Sequence, residues 1–114
     1  MNEELSQQIQ KYTNSTNAGS MKFSVEMLNQ VEQLAYLFTL PKDIAIILEI
    51  DSYDFITQLQ DEDSPIYKAF HKGYLMREIE IKKTIMHLED AYQKEFAEKQ
   101  IRNFKAQLKL QLDD

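Results

Sequence analysis

Two lysines one helical turn apart, Lys68 and Lys72, with His71 beside them, have types and spacing that suit a definite chemistry. At i, i+4 their ammonium groups share a helix face and can reach neighbouring phosphates of a polyanion. Ordinary surface lysines of an amphipathic helix account for the same spacing. A second set lies upstream, where Tyr53, Thr57 and Gln58 fall on the outward arc of a short helix. Thr57 and Gln58 can donate to base edges, Tyr53 can contact a phosphate, and Lys42 opens the preceding helix as an anchor. The same arc carries Asp54 and Asp61 and no cation, so its charge opposes a polyanion, and a solvated polar face explains it as well. Arg102, Lys105 and Lys109 share a face near the C-terminus, where cations also suit a helix dipole.

Other chemistries lack their residues. His71 and His87 are far apart and neither follows a Glu-x-x-His spacing, so no metal site is expected. The absence of cysteine excludes disulfides and thiolate ligands. Two glycines cannot build a phosphate loop or a strained nucleophile turn, so neither catalysis nor a cofactor is expected. Tyr67, Phe70 and Tyr74 can stack on bases, but their helical spacing after Pro65 suits a core.

Helices must position these groups. With Gly19, Gly73, Pro41 and Pro65 as its only breakers, and Gln, Glu, Lys, Leu and Ile at helical spacing, the chain reads as all-α. The stretch from Leu40 to Leu59 fits a helix-turn-helix. Ile44, Ala45 and Leu48 face inward from a first helix opened by Pro41, Ile50 plugs the turn, and Phe55, Ile56 and Leu59 form the buried face of a second. Ala45 is small where two backbones must approach. Upstream, Phe23, Met27, Val31, Leu34 and Phe38 step by three or four behind Ser24, a good N-cap, and make the supporting helix.

Downstream, Asp61 to Pro65 suits a helix start, and no further proline follows. An unbroken helix to Gln111 would run about 70 Å. Its apolar track shifts from Tyr67, Phe70, Tyr74, Ile81, Ile85, Leu88 and Tyr92 to Ala97, Ile101, Phe104 and Leu108. Either it breaks near 89–93 and folds back as a helix pair, or its distal half packs on another subunit; the second is the preferred expectation. The expected organisation is a mobile polar tail at 1–20, a three-helix head containing the helix-turn-helix at 21–63, and a long charged C-terminal helix, or helix pair, at 64–114 as the oligomerisation element.

Charge divides the same way. From Thr39 to Asp63 one cation, Lys42, stands against seven carboxylates, whereas Ser64 to Leu112 holds ten cations against six. The acidic start, Met1-Asn2-Glu3-Glu4, is unlike a secretory leader, and the longest apolar run, Ile44 to Leu48, is too short to span a membrane. The expectation is a soluble, cytoplasmic protein with no membrane partner.

Asp43-Ile44-Ala45-Ile46-Ile47-Leu48-Glu49-Ile50, a second helix, and then Asp63-Ser64-Pro65-Ile66-Tyr67-Lys68-Ala69-Phe70-His71-Lys72-Gly73 before a long charged helix resemble the terminase small subunits of phages and prophages. The likeness runs from about Leu34 to Ala97. It implies a non-enzymatic adaptor in a bacterial host cell that forms a homo-oligomeric ring, binds duplex DNA and hands it to an ATP-driven large subunit. Two features depart from that pattern. Glu49 stands where the turn favours glycine, at a cost near 1 kcal/mol if φ is positive, and the second helix is acidic. The alternative is a protein-interaction or scaffold module in which the helix-turn-helix is only structural.

Overall fold

The computed structural model describes residues 23–113, and the polar tail expected at 1–20 lies outside them. Five helices follow in order: α1 (Val25–Tyr36), α2 (Pro41–Ile47), α3 (Ser52–Leu59), α4 (Pro65–Ile85) and α5 (Ala91–Leu112). No strand occurs among the described residues, and the all-α class with a long C-terminal helix holds.

Local chemistry sets the boundaries. Ser24 Oγ accepts from the Met27 amide at 3.0 Å and starts α1, Pro41 opens α2, and Asp51 caps α3 through the Asp54 amide. Ser64 caps α4 ahead of Pro65, and Asp90 caps α5 by accepting from Tyr92 and Gln93. α1 and α2 end in the same device. The amides of Phe38 and Thr39 return to the carbonyls of Ala35 and Leu34, and those of Glu49 and Ile50 return to Ile46 and Ala45. This geometry places Phe38 at φ 61 and Glu49 at φ 57, so the positive φ anticipated at Glu49 is present.

The core is one cluster. Val31, Ala35, Ile44, Ala45, Phe55, Leu59, Ile66 and Phe70 are essentially inaccessible, with Leu48 and Ile50 partly buried against them. Fully burying each large side chain contributes roughly 1.5–3 kcal/mol. Ile56, expected on the buried face, is only half-buried. α1 and α4 share the most extensive contact, and Gly73 is what lets them meet. A Cβ there would lie 2.9 Å from Ala35 Cβ and collide with the Glu32 carbonyl oxygen.

The long helix is two helices. It stops at Ile85, turns through 86–90 and comes back as α5. The two apolar tracks therefore face each other within one chain, correcting the preference for an intermolecular contact: Phe104 and Leu108 join the head core, and Ile81 and Ile101 are buried. Phe104 stacks on Phe38, with centroids 4.6 Å apart, which is the packing that holds a phenylalanine in the left-handed region. The end of α5 is also tied to the head. The Lys42 amide donates to Gln111 Oε1 at 3.0 Å and Gln60 Nε2 donates to the Leu112 carbonyl at 2.5 Å, satisfying one free group at an end of each helix.

Candidate functional site

Helix α3 presents the residues expected to read a ligand. Tyr53 is 77% exposed and Asp54 and Thr57 are also exposed, but Thr57 and Gln58 both have hydrogen-bond partners inside the chain, Thr57 as donor and Gln58 as acceptor. The Thr57 hydroxyl donates to the Tyr53 carbonyl at 2.8 Å, and Gln58 Oε1 accepts from the buried Ser64 hydroxyl at 2.8 Å. Gln58 thus acts first as a tie between α3 and the start of α4. Among the described residues no lysine or arginine lies within 4 Å of Asp54 or Asp61; Asp61 instead accepts from the Asp63 amide. The acidity of α3 is uncompensated.

Lys68 and Lys72 do share a side of α4, away from α3. Together with Asn29 and Glu32 of α1 and Asp63 they line a shallow cleft, in which Lys72 Nζ lies 3.6 Å from Glu32 Oε1. The cleft mixes both signs. Lys42 is exposed on α2 beside Asp43. The six candidate contacts, Lys42, Tyr53, Thr57, Gln58, Lys68 and Lys72, therefore do not form one cationic surface.

The aromatic stripe is structural, as its spacing indicated. Phe70 is fully buried and a ladder runs Tyr67, His71, Phe70, Tyr74, Phe104, Phe38. His71 stacks on Tyr67 at 3.8 Å, and its Nδ1 lies 2.9 Å from the Tyr67 carbonyl. Burial holds its imidazole below the ordinary value, against the opposing pull of that hydrogen bond and of Glu62. Burial also pushes the Tyr74 phenol up.

Glu78 is a buried carboxylate at the contact between α4 and α5. Its i, i+4 pairing with Lys82 is present at 3.3 Å, but the closer partner is Lys105 of α5, at 2.5 Å. Glu78 is 7% exposed. Burial pushes its carboxyl up, and the hydrogen bonds and charges of Lys105 and Lys82 outweigh burial and leave it below its ordinary value. This carboxylate clamps α4 to α5. Arg102 of α5 pairs with Glu95 of the same helix at 2.7 Å.

Grooves exist but converge on no reactive group. One of about 460 Å³ lies between the end of α1 and α5, floored by Leu37, Phe38, Leu40 and Phe104 beside Arg77. Among the described residues no three His, Asp or Glu side chains stand close enough to hold a metal ion, and no helix is long and apolar enough to cross a membrane. Comparisons with models of known protein families, with curated proteins and with solved structures gave no match.

Proposed function

We propose that this chain is a non-enzymatic helical adaptor whose head, a helix-turn-helix used as a scaffold, docks a basic segment of a partner protein. The carrying observation is the outward side of α2 and α3. Ile46 (74% exposed), Ile47 and Tyr53 stand there among Asp43, Glu49, Asp51 and Asp54, and among the described residues none of those carboxylates has a cation within ion-pair distance. Against those four carboxylates α2 carries one exposed cation, Lys42, and apolar side chains set in such an excess of negative charge suit a partner that supplies the other sign, the charges setting orientation and encounter rate. The resemblance to phage terminase small subunits agrees with an adaptor role, and the basic partner would then belong to the ATP-driven large subunit. A fluorescein-labelled amphipathic peptide rich in lysine and arginine should bind the full chain at low salt and weaken as salt rises. Glu49→Lys with Asp54→Lys, two exposed carboxylates that cap no helix, should abolish that binding while leaving the circular dichroism spectrum intact. Failure of the peptide to bind at low salt would overturn the proposal.

A second reading, a duplex-DNA adaptor, is favoured by a separate observation. Lys82, Lys83, Lys99, Arg102, Lys105 and Lys109 are exposed on α4 and α5, outside the acidic head. Several copies in a homo-oligomer would add such weak patches together on one polyanion. Light scattering on a sizing column, with and without a short duplex, separates the readings. An oligomer that carries DNA at low salt and sheds it at moderate salt supports the second, and a chain that ignores DNA at low salt removes it.

A further inference from the structure

Helix α4 has a third side that nothing in the described chain covers. Leu75, Met76 and Ile79 are 41%, 49% and 46% exposed, although each lies on a helix that is otherwise packed, and Met86, the residue that caps its C-terminus, is 79% exposed. Their spacing is ordered. Together with Lys72, Lys82 and Lys83 they repeat every seven residues: Lys72, Ile79 and Met86 at one position, Leu75 and Lys82 three further on, Met76 and Lys83 beside those. Apolar residues recur only at Ile79 and Met86, so the pattern is not a coiled-coil heptad; the residues share one side of the helix, where lysine stems and apolar side chains alternate along a line that a second helix can follow. The seam runs about 21 Å at 1.5 Å per residue.

Its charge selects the occupant. The seam carries three lysines and no carboxylate, since Glu78 is turned toward α5 and Glu80 toward Tyr36 of α1. Lys72 and Lys82 each have one carboxylate within the chain yet remain 67% and 63% exposed, with donors to spare, and Lys83 has none among the described residues. A copy of the same face would bring more lysines and no counter-charge. Among the described residues the acidic surface is carried by α2 and α3, seven and eight residues long, which at about 10–12 Å each cannot match the length of the seam. A bilayer is a poor fit as well: the lysines alternate with the apolar residues along the axis instead of flanking them, so insertion would drive ammonium groups toward the acyl chains.

We propose that the outer face of α4, from Lys72 to Met86, is a docking seam for one acidic amphipathic helix of a different protein. Its apolar residues enter between Leu75, Met76, Ile79 and Met86, and its carboxylates meet Lys72, Lys82 and Lys83. This surface is separate from the one on α2 and α3, so the two can fail separately.

The test uses the full chain and a synthetic helical peptide with leucines at the seam positions and glutamates placed to meet the three lysines, followed by fluorescence anisotropy. The peptide should bind at least about tenfold tighter than a scrambled peptide of the same composition. Ile79→Glu should abolish binding. Lys83→Glu, which breaks no ion pair of the described chain, should weaken it about tenfold, and a peptide with lysine at the facing position should restore it. Both variants should keep the wild-type melting curve and any binding of a basic peptide at the head. Three results would overturn the proposal: equal binding of the scrambled peptide; sedimentation showing an oligomer that Ile79→Glu converts to monomer, which assigns the seam to a second copy; or Ile79-dependent binding to phosphatidylglycerol vesicles with no peptide binding.

Discussion

Helix α4 packs on the described chain along two sides and is left uncovered by it along a third, and its residues differ accordingly. Toward α1 the spacing is so close that Gly73 admits no side chain. Toward α5 a single carboxylate, Glu78, is held by lysines from both helices while Ile81 is buried nearby. On the third side Leu75, Met76, Ile79 and Met86 are apolar but uncovered. The covered sides are fixed by atoms that fit one neighbour. The uncovered side has the periodicity of a packed face without a neighbour, and this is why it reads as a surface for something outside the described chain.

The contrast can be broken at its strongest point first. Gly73→Leu should destabilise the fold by about 3 kcal/mol or more, because neither the Glu32 backbone nor Ala35 can recede without separating α1 from α4. Urea unfolding reads this directly, and a wild-type midpoint would show that the two helices do not cross there.

Glu78→Ala should cost about 1–3 kcal/mol, since it leaves Lys105 without its partner across the α4–α5 contact. Its pH signature has a definite sign. The folded carboxyl is held below its ordinary value of 4.5, so the folded state binds fewer protons than the unfolded chain near that value. The contribution is complete above 4.5 and is lost as pH falls through the folded value. Thermal melts should show a Glu78→Gln variant losing less stability on acidification than the parent; equal losses would place the acid sensitivity elsewhere.

A smaller effect of opposite sign is expected at an exposed position. Glu49 sits at φ 57 with its side chain in solvent, whereas Phe38 at φ 61 is held there by the Phe104 ring. Glu49→Gly should stabilise by about 1 kcal/mol, and a loss would mean that the Glu49 carboxylate makes a contact worth more than the backbone strain. The smallest effect belongs to the uncovered side of α4. Ile79→Ser should change the stability of the free chain by no more than about 0.5 kcal/mol, and a drop of several kcal/mol would show that the seam is already filled.

Much of the fold is legible locally. Ser24, Asp51 and Ser64 cap helices because their side-chain oxygens lie within reach of the amides two or three residues ahead, and Pro41 and Pro65 start helices because their fixed φ suits a first turn. The inward residues of α2 and α3 follow from a spacing that only one face can satisfy. Less of the candidate site was legible. Thr57 and Gln58 have the right types for reading a ligand; Thr57 bonds the Tyr53 carbonyl one turn back in its own helix, whereas the partner of Gln58, the Ser64 hydroxyl, is set by how α3 meets α4. The outer face of α4 is present in the sequence as Leu75, Met76 and Ile79 at helical spacing, and the stronger aromatic track through Tyr67, Phe70 and Tyr74 concealed it.

The sequence alone thus determined the helical class, the caps, the inward faces of the head and the division of charge, because each depends on residues a few positions apart. Tertiary structure alone decided that the last helix returns to its own chain. The apolar track through Ile101, Phe104 and Leu108 would fit a neighbouring subunit or the chain's own core equally well on spacing. What separates the two is whether a turn at 86–90 can bring Phe104 onto Phe38 and Lys105 onto Glu78, contacts between residues far apart in sequence that no local pattern encodes.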